Sequence, residues 1–162
     1  MKIVLPGSYD PFTLGHLDIV QRSSKLASEV VVAVAQNSAK NYLFSAKERA
    51  ELIALATENI ENVRVEIVSG LLVASFPPEE YVLVKGVRTG LDFEYEHAQA
   101  VINQKIGQIE TLYLPCDPCY AHISSSVVKE LSMLGVDLMD YVPEVVERAL
   151  KSKIEAGKRE NV

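Results

Sequence analysis

The chain has 162 residues, 48% of them apolar, and a formal net charge of −6. This length fits one domain with a substantial core, and the acidic balance argues against a general nucleic-acid binder, which is normally basic. No basic-plus-apolar leader opens the sequence and no apolar run reaches the ~18 residues of a membrane span, so the expectation is one soluble, cytoplasmic domain over residues 1–162 with no nucleic-acid or membrane partner.

The first apolar run, Lys2–Leu5, reads as a strand. It feeds Pro6-Gly7-Ser8-Tyr9-Asp10-Pro11-Phe12-Thr13-Leu14-Gly15-His16, after which a helix is expected over Leu17–Ala27. A strand that turns tightly into a helix N-terminus presents free backbone N–H groups and the positive end of the helix dipole, which is an anion site. Ser8 adds a hydroxyl, Gly15 lets a ligand approach the backbone, and His16 adds a donor that can carry charge. Phosphate chemistry near residue 10 follows.

Further strands are expected over Val30–Ala35, Val63–Val68, Val82–Val84 and Thr111–Leu114, all short and rich in Val, Ile or Leu, as for strands buried on both faces. Between them lie helical patterns over Ala46–Glu58, Phe93–Ile106, Ser126–Leu134 and Glu144–Glu155. The first of these carries a capping box, Ser45-Ala46-Lys47-Glu48. A short helix over Leu71–Phe76 is stopped by Pro77-Pro78. The alternation predicts an α/β domain: a doubly wound, Rossmann-like five-stranded parallel sheet with helices on both faces, binding ligands outside the carboxyl ends of its strands. The charged tail after Leu150 is expected to fray over about residues 156–162.

Each expected strand is followed by a candidate loop. After the second comes Gln36-Asn37-Ser38-Ala39-Lys40-Asn41-Tyr42-Leu43-Phe44, in which Lys40 taken alone is a solvated surface charge. After the third comes Ser69-Gly70-Leu71-Leu72. After the fourth, Lys85 and Arg88 flank Gly86 and Val87 just before a helix; arginine offers a planar fork for phosphate oxygens and lysine a point charge. After the fifth, Tyr120-Ala121-His122-Ile123-Ser124-Ser125-Ser126 opens a helix, giving one cap and two further hydroxyls beside free N–H groups. Cys116 and Cys119 cannot complete a tetrahedral zinc site alone. They read as reduced loop cysteines, with a redox or metal role as the alternative.

The Pro6–Pro11 run joined to Thr13-Leu14-Gly15-His16 resembles the corresponding signature of bacterial phosphopantetheine adenylyltransferases, a family of the nucleotidyltransferases that share a (His/Thr)-x-Gly-His tetrad. Lys85–Glu96 is similar to that family's [RK]-G-[LV]-R-…-D-[FY]-E-x-E segment, and Tyr120–Ser126 to its [WY]-x-x-[IV]-S-S-[ST] motif. The resemblance implies transfer of AMP from ATP to 4′-phosphopantetheine, giving dephospho-coenzyme A and pyrophosphate by in-line attack of the acceptor phosphate. It implies catalytic roles for His16, Lys40 and Arg88. It implies ATP contacts from Ser8, Tyr9, His16, Gly86, Val87, Arg88, Glu96, Tyr120, Ala121, His122, Ile123, Ser124, Ser125 and Ser126. Acceptor contacts would come from Ser8, Lys40, Leu72, Lys85 and Asn103. Mg²⁺ would arrive on the ATP phosphates without a dedicated protein site. A homohexamer built as a dimer of trimers and coenzyme A as a feedback ligand are likewise implied.

Two departures stand out: Lys85 sits where arginine is frequent, and Gly70 where an acidic residue is frequent. Leu71 and Leu72 also fit as plain core residues of a short helix, and Asn103 as an ordinary polar helix residue. His122 reads as packing or an adenine-edge contact, and His97 as structural or exposed. Two rival readings remain open on the sequence: a sister transferase acting on nicotinamide or nicotinate mononucleotide or on glycerol phosphate, and a nucleotide or coenzyme A sensor without catalysis.

Overall fold

The computed structural model describes residues 1–37 and 39–160. Five strands, β1 (Lys2–Gly7), β2 (Glu29–Gln36), β3 (Val63–Ser69), β4 (Tyr81–Val87) and β5 (Thr111–Pro115), form one sheet in the order β3-β2-β1-β4-β5. All pairs are parallel. The helices are α1 (Leu14–Ser24), α2 (Ala46–Ala56), α3 (Gly90–Gly107), α4 (Ser125–Met133) and α5 (Glu144–Glu160). The expected doubly wound α/β architecture is the observed one. Among the described residues, no helix is long and apolar enough to cross a membrane.

The period of two along the strands sorts the core onto two faces. Ile3 and Leu5 of β1, with Val30, Val32 and Val34 of β2, pack with Ile19 and Val20 of α1, Ile53 of α2, Val128 of α4 and Val146 and Leu150 of α5. Val4, Val31 and Ala33 point the other way, against Val73, Phe76 and Ile109. Burial on both faces holds for the central strands only. The outer strand β3 buries only Val68 and β5 buries nothing fully, because an edge strand has a sheet neighbour on one side only and less cover over its faces.

Several boundaries move for identifiable reasons. The first helix starts at Leu14, three residues earlier than expected, because Thr13 caps it. The Thr13 side chain accepts from the His16 N–H, and the His16 ring accepts from the Thr13 N–H. This is a capping box with histidine in the place where glutamate or glutamine is usual, so the Thr-Leu-Gly-His tetrad is itself the helix start. The expected helix over 71–76 is only a 3₁₀ turn, Leu72–Ala74. Gly107, at the end of α3, lies so close to Val73 of that turn that any side chain would collide. Helix α5 runs to Glu160, beyond its expected end. Ser38 and the last two positions of the expected tail, 161 and 162, lie outside the described residues.

The strand order reverses between β1 and β4, since β1 connects outward to β2 and β4 outward to β5. The crevice at the carboxyl end of such a switch point is where open α/β sheets bind ligands.

Candidate active site

The loop leaving β1 is wedged by its own aromatic residues. Tyr9 adopts a left-handed backbone conformation, φ 53°, and is followed by a cis Asp10–Pro11 peptide. Its hydroxyl donates to the Leu5 carbonyl at 2.8 Å. Its ring stands edge-on to His16 at 5.0 Å and tilts against Phe12 at 5.7 Å.

Two buried charged residues, not singled out from the sequence, tie this loop to its neighbours. Asp10, 4% exposed, accepts from the Leu43 and Phe44 N–H groups, both at 2.9 Å, and pairs with Lys129 of α4 at 3.2 Å. Arg49 of α2, 1% exposed, donates to the carbonyls of Ser8, Ala35 (3.0 Å) and Phe44 (3.2 Å), and its guanidinium lies 4.1 Å from the Tyr42 ring centroid. Arg49 lies one turn before the fully buried Ile53, on the face of α2 that the structure buries, while Leu55 is exposed.

The capping box also fixes the chemistry of His16. Nδ1 accepts from the Thr13 N–H at 3.0 Å, so the neutral ring carries its proton on Nε2, which has no partner among the described residues. Burial, and then the positive charge of Arg88, push the His16 pKa down from 6.5 to about 4. The imidazole is therefore a neutral donor at pH 7. Below pH 6.5 the unfolded chain binds a proton that the folded chain refuses until about pH 4. This contribution to stability is thus complete above pH 6.5 and is lost as pH falls toward 4, by roughly 3 kcal/mol. Denaturant melts at pH 7 and pH 4.5 should show a larger acid loss in the wild type than in His16→Gln, which cannot titrate; equal losses would contradict the assignment.

Two cavities open at the carboxyl ends of the strands. The first, about 450 Å³, is lined by Thr13, Gly15 and His16, by Arg88, Leu91 and Asp92 at the start of α3, and by Cys116, Tyr120 and Ile123–Ser126. The second, about 680 Å³, is lined by Pro6–Tyr9, Ala35, Lys40, Gly70–Leu72, Lys85 and the α3 residues Gln99, Ile102, Asn103 and Ile106. His16, Ile19, Gly86, Tyr95, Glu96 and Ser125 line both. The two spaces therefore meet at His16.

Two of the cations in them, Arg88 and Lys85, are already partnered. Arg88 grips Asp92 through Nε (2.9 Å) and a second nitrogen (3.2 Å), and also donates to the Ile123 carbonyl at 2.8 Å. Burial tends to raise the Asp92 pKa, but Arg88 outweighs it and holds the carboxyl below its usual range. Lys85 pairs with Glu96 at 3.0 Å and donates to the Pro6 carbonyl at 3.2 Å. Ser124 caps α4 by accepting from the Val127 N–H, and Ser125 donates to the Pro11 carbonyl at 2.8 Å.

Most of the residues expected from the sequence converge on these cavities, with some redistribution. Ser8, Lys40, Leu72, Lys85 and Asn103 all line the second cavity. Arg88, Tyr120, Ile123 and Ser124–Ser126 line the first, with Gly86 and Glu96 at the junction. Tyr9, expected beside the nucleotide, lines the second cavity instead. Val87, Ala121 and His122 line neither: Val87 pairs with Pro115 in the sheet and the exposed His122 ring rests on Tyr141. Leu71 is exposed rather than core, because Val73 and Phe76 take the inward positions of that turn. His97 is exposed and stacked on Phe93.

Cys116 and Cys119 are free. Burial, then Asp18, raises the Cys116 pKa, and hydrogen bonding to Asp117 raises that of Cys119, so both stay protonated thiols near neutrality. No cluster of three or more metal-ligating side chains occurs among the described residues.

Comparison with known proteins follows the same line. The cytidylyltransferase-like family profile matches residues 4–131. A phosphopantetheine adenylyltransferase from Thermotoga neapolitana is 42% identical over 161 residues, covering 98% of this chain and all of the relative. One from Syntrophomonas wolfei is 45% identical over 157 residues, 95% and 98% of the two chains. A Vibrio parahaemolyticus crystal structure named for nicotinate-nucleotide adenylyltransferase superposes with a TM-score of 0.63, covering 92% and 97% of the two chains; at 16% identity it speaks to the fold alone. The chain belongs to the phosphopantetheine adenylyltransferase family, within the cytidylyltransferase-like nucleotidyltransferases.

Proposed function

We propose that this protein transfers AMP from ATP to 4′-phosphopantetheine, releasing pyrophosphate and dephospho-coenzyme A. The observation that carries this reading is the meeting of two cavities at one neutral histidine donor. ATP occupies the first and the acceptor the second.

The acceptor is a phosphate monoester with a second pKa of about 6, so at neutral pH its oxygen is largely ionised and needs no strong base. The task is to hold two anions in line and offset their repulsion. The acceptor oxygen forms its bond to the α-phosphorus as the bond from that phosphorus to the bridging β-oxygen breaks. His16 Nε2–H donates to the α-phosphate oxygens as charge builds there. Lys40 and Lys85 face the acceptor phosphate, while Arg88 and the N-terminus of α4 face the leaving pyrophosphate. Leu72 and Asn103 border the pantetheine arm.

Mg²⁺ would be held mainly by the ATP phosphates themselves and would supply neutralisation of the triphosphate charge. The carboxylates lining the first cavity, Asp92 and Glu96, each already pair with a cation. The enzyme works in the cytoplasm, and coenzyme A, whose pantetheine arm matches the acceptor's, competes for the second cavity as a feedback ligand. The assembly is a hexamer of two trimers. Support comes from α3, which buries none of its residues fully and leaves Phe93 43% and Val101 43% exposed outside both cavities, an apolar surface that a second copy would cover.

The test is pyrophosphate release with ATP and Mg²⁺ on a sample whose mass is read by sedimentation. The acceptors offered are 4′-phosphopantetheine, nicotinamide mononucleotide and glycerol 3-phosphate, the last also with CTP. Release with phosphopantetheine alone, matched by dephospho-coenzyme A, is expected from a hexamer. Release with another acceptor moves the chain to a sister activity, and ATP binding without release favours a sensor.

A further inference from the structure

We propose that Arg49, which lines neither cavity, is a positioning residue for the transfer: it turns the Ser8–Tyr9 peptide and anchors the Lys40 loop. This proposal rests on the reaction assigned above. Three of the segments that build the acceptor cavity end on this one guanidinium: the loop after β1 through Ser8, the end of β2 through Ala35, and the end of the Lys40 loop through Phe44. A buried cation held by three carbonyls and one aromatic face, with no carboxylate partner among the described residues, costs desolvation that an apolar side chain at the same place would avoid. The helix face needs only packing there, so stability alone does not explain an arginine.

The geometry supplies another reason. The Ser8–Tyr9 peptide is trans, so its C=O and N–H point in opposite directions. With the Ser8 carbonyl held inward by Arg49, the Tyr9 N–H faces away from the core. That N–H has no partner among the described residues, and both Ser8 and Tyr9 line the acceptor cavity next to His16. Arg49 thus orients a backbone donor toward the space where the phosphates meet, beside the His16 ring. The left-handed Tyr9 backbone belongs to the same arrangement. Asp10 completes it from the other side, since its carboxylate takes the Leu43 and Phe44 N–H groups and bonds Lys129 of α4. The Lys40 loop is then fixed to the β1 loop by an acid and a base together, while Arg88 and Ser126 of the nucleotide cavity stand outside this network.

The test uses Arg49→Lys, which keeps the charge but not the fork, and Asp10→Asn. Steady-state pyrophosphate release and hydrogen exchange across residues 39–44 are read on each variant. The expected result is a kcat lower by about 10²-fold, with the phosphopantetheine KM raised roughly tenfold and the ATP KM held within about threefold. Exchange over 39–44 should be faster in both variants. A kcat that falls only in proportion to lost folded protein, with both KM values unchanged, would overturn the proposal. So would wild-type protection of residues 39–44 in both variants. If the wild type itself releases no pyrophosphate with phosphopantetheine, the reaction reading fails, and the exchange result alone decides whether Arg49 anchors the loop.

Discussion

Replacing His16 with alanine is expected to lower kcat by about 10²–10³-fold, the loss typical of removing one donor to a developing oxyanion. ATP affinity should change little, because Arg88 and the serines at the start of α4 remain in the first cavity. The neutral state of the ring sharpens the expectation. Its role needs an N–H, not a positive charge, so His16→Gln should recover part of the lost rate. Glutamine also restores the capping box, because its side chain accepts at the same helix position; alanine loses that as well, at about 1 kcal/mol. Pyrophosphate release and calorimetric ATP titration of the two variants separate these effects. A near-wild-type kcat in His16→Ala would remove His16 from the chemistry, and a loss of ATP binding with unchanged kcat would make it a binding residue only.

Gly7→Ala is expected to do nearly as much damage from outside the reacting groups. A Cβ on Gly7 would sit 2.7 Å from Tyr9 Cζ and 2.9 Å from Cε2. The ring has little room to yield: its hydroxyl is bonded to Leu5, and the Phe12 and His16 rings pack against it. Overpacking of this kind costs about 2 kcal/mol, which lowers Tm by roughly 4–8 °C for a domain of this size. Displacing Tyr9 also shifts its peptide N–H and the His16 ring, so kcat should fall by about 10²-fold. Calorimetry and the release assay on the same preparation check both. A wild-type Tm with wild-type turnover would show that the loop tolerates the added methyl.

The comparison of sequence with structure divides along a physical line. Where a feature depends on nearest neighbours in the chain, the residues declared it. The Val-rich runs are strands because their period and composition leave no other way to bury them. Ser45 and Glu48 cap α2 as their spacing demands. The strand–turn–helix setting of Gly7–His16, with Arg88 and Ser124–Ser126 after later strands, marks an anion site in the sequence itself. The order of strands, by contrast, depends on which distant segments pair, and pairing between positions such as Gly7 and Val34 or Val4 and Leu83 leaves no local trace.

The same holds within the site. Ser8, Lys40, Lys85 and Asn103 were legible by type and place, and the family resemblance set them apart from Arg88, but the meeting of their cavity with that of Arg88 at His16 was not legible. Nothing in the spacing of Lys85 and Glu96, or of Arg88 and Asp92, said that each cation would be paired before substrate arrives. The roles of Asp10 and Arg49 leave no local trace because the energy that places them comes from carbonyls and amides far away in the chain. By itself, the sequence determined the element types, the anion-binding turn and the family, since those follow from local periodicity and motif. Only the tertiary structure decided the neutral, depressed histidine, the two cavities that meet at it and the buried arginine behind them, because burial and through-space charge exist only once the chain has closed on itself.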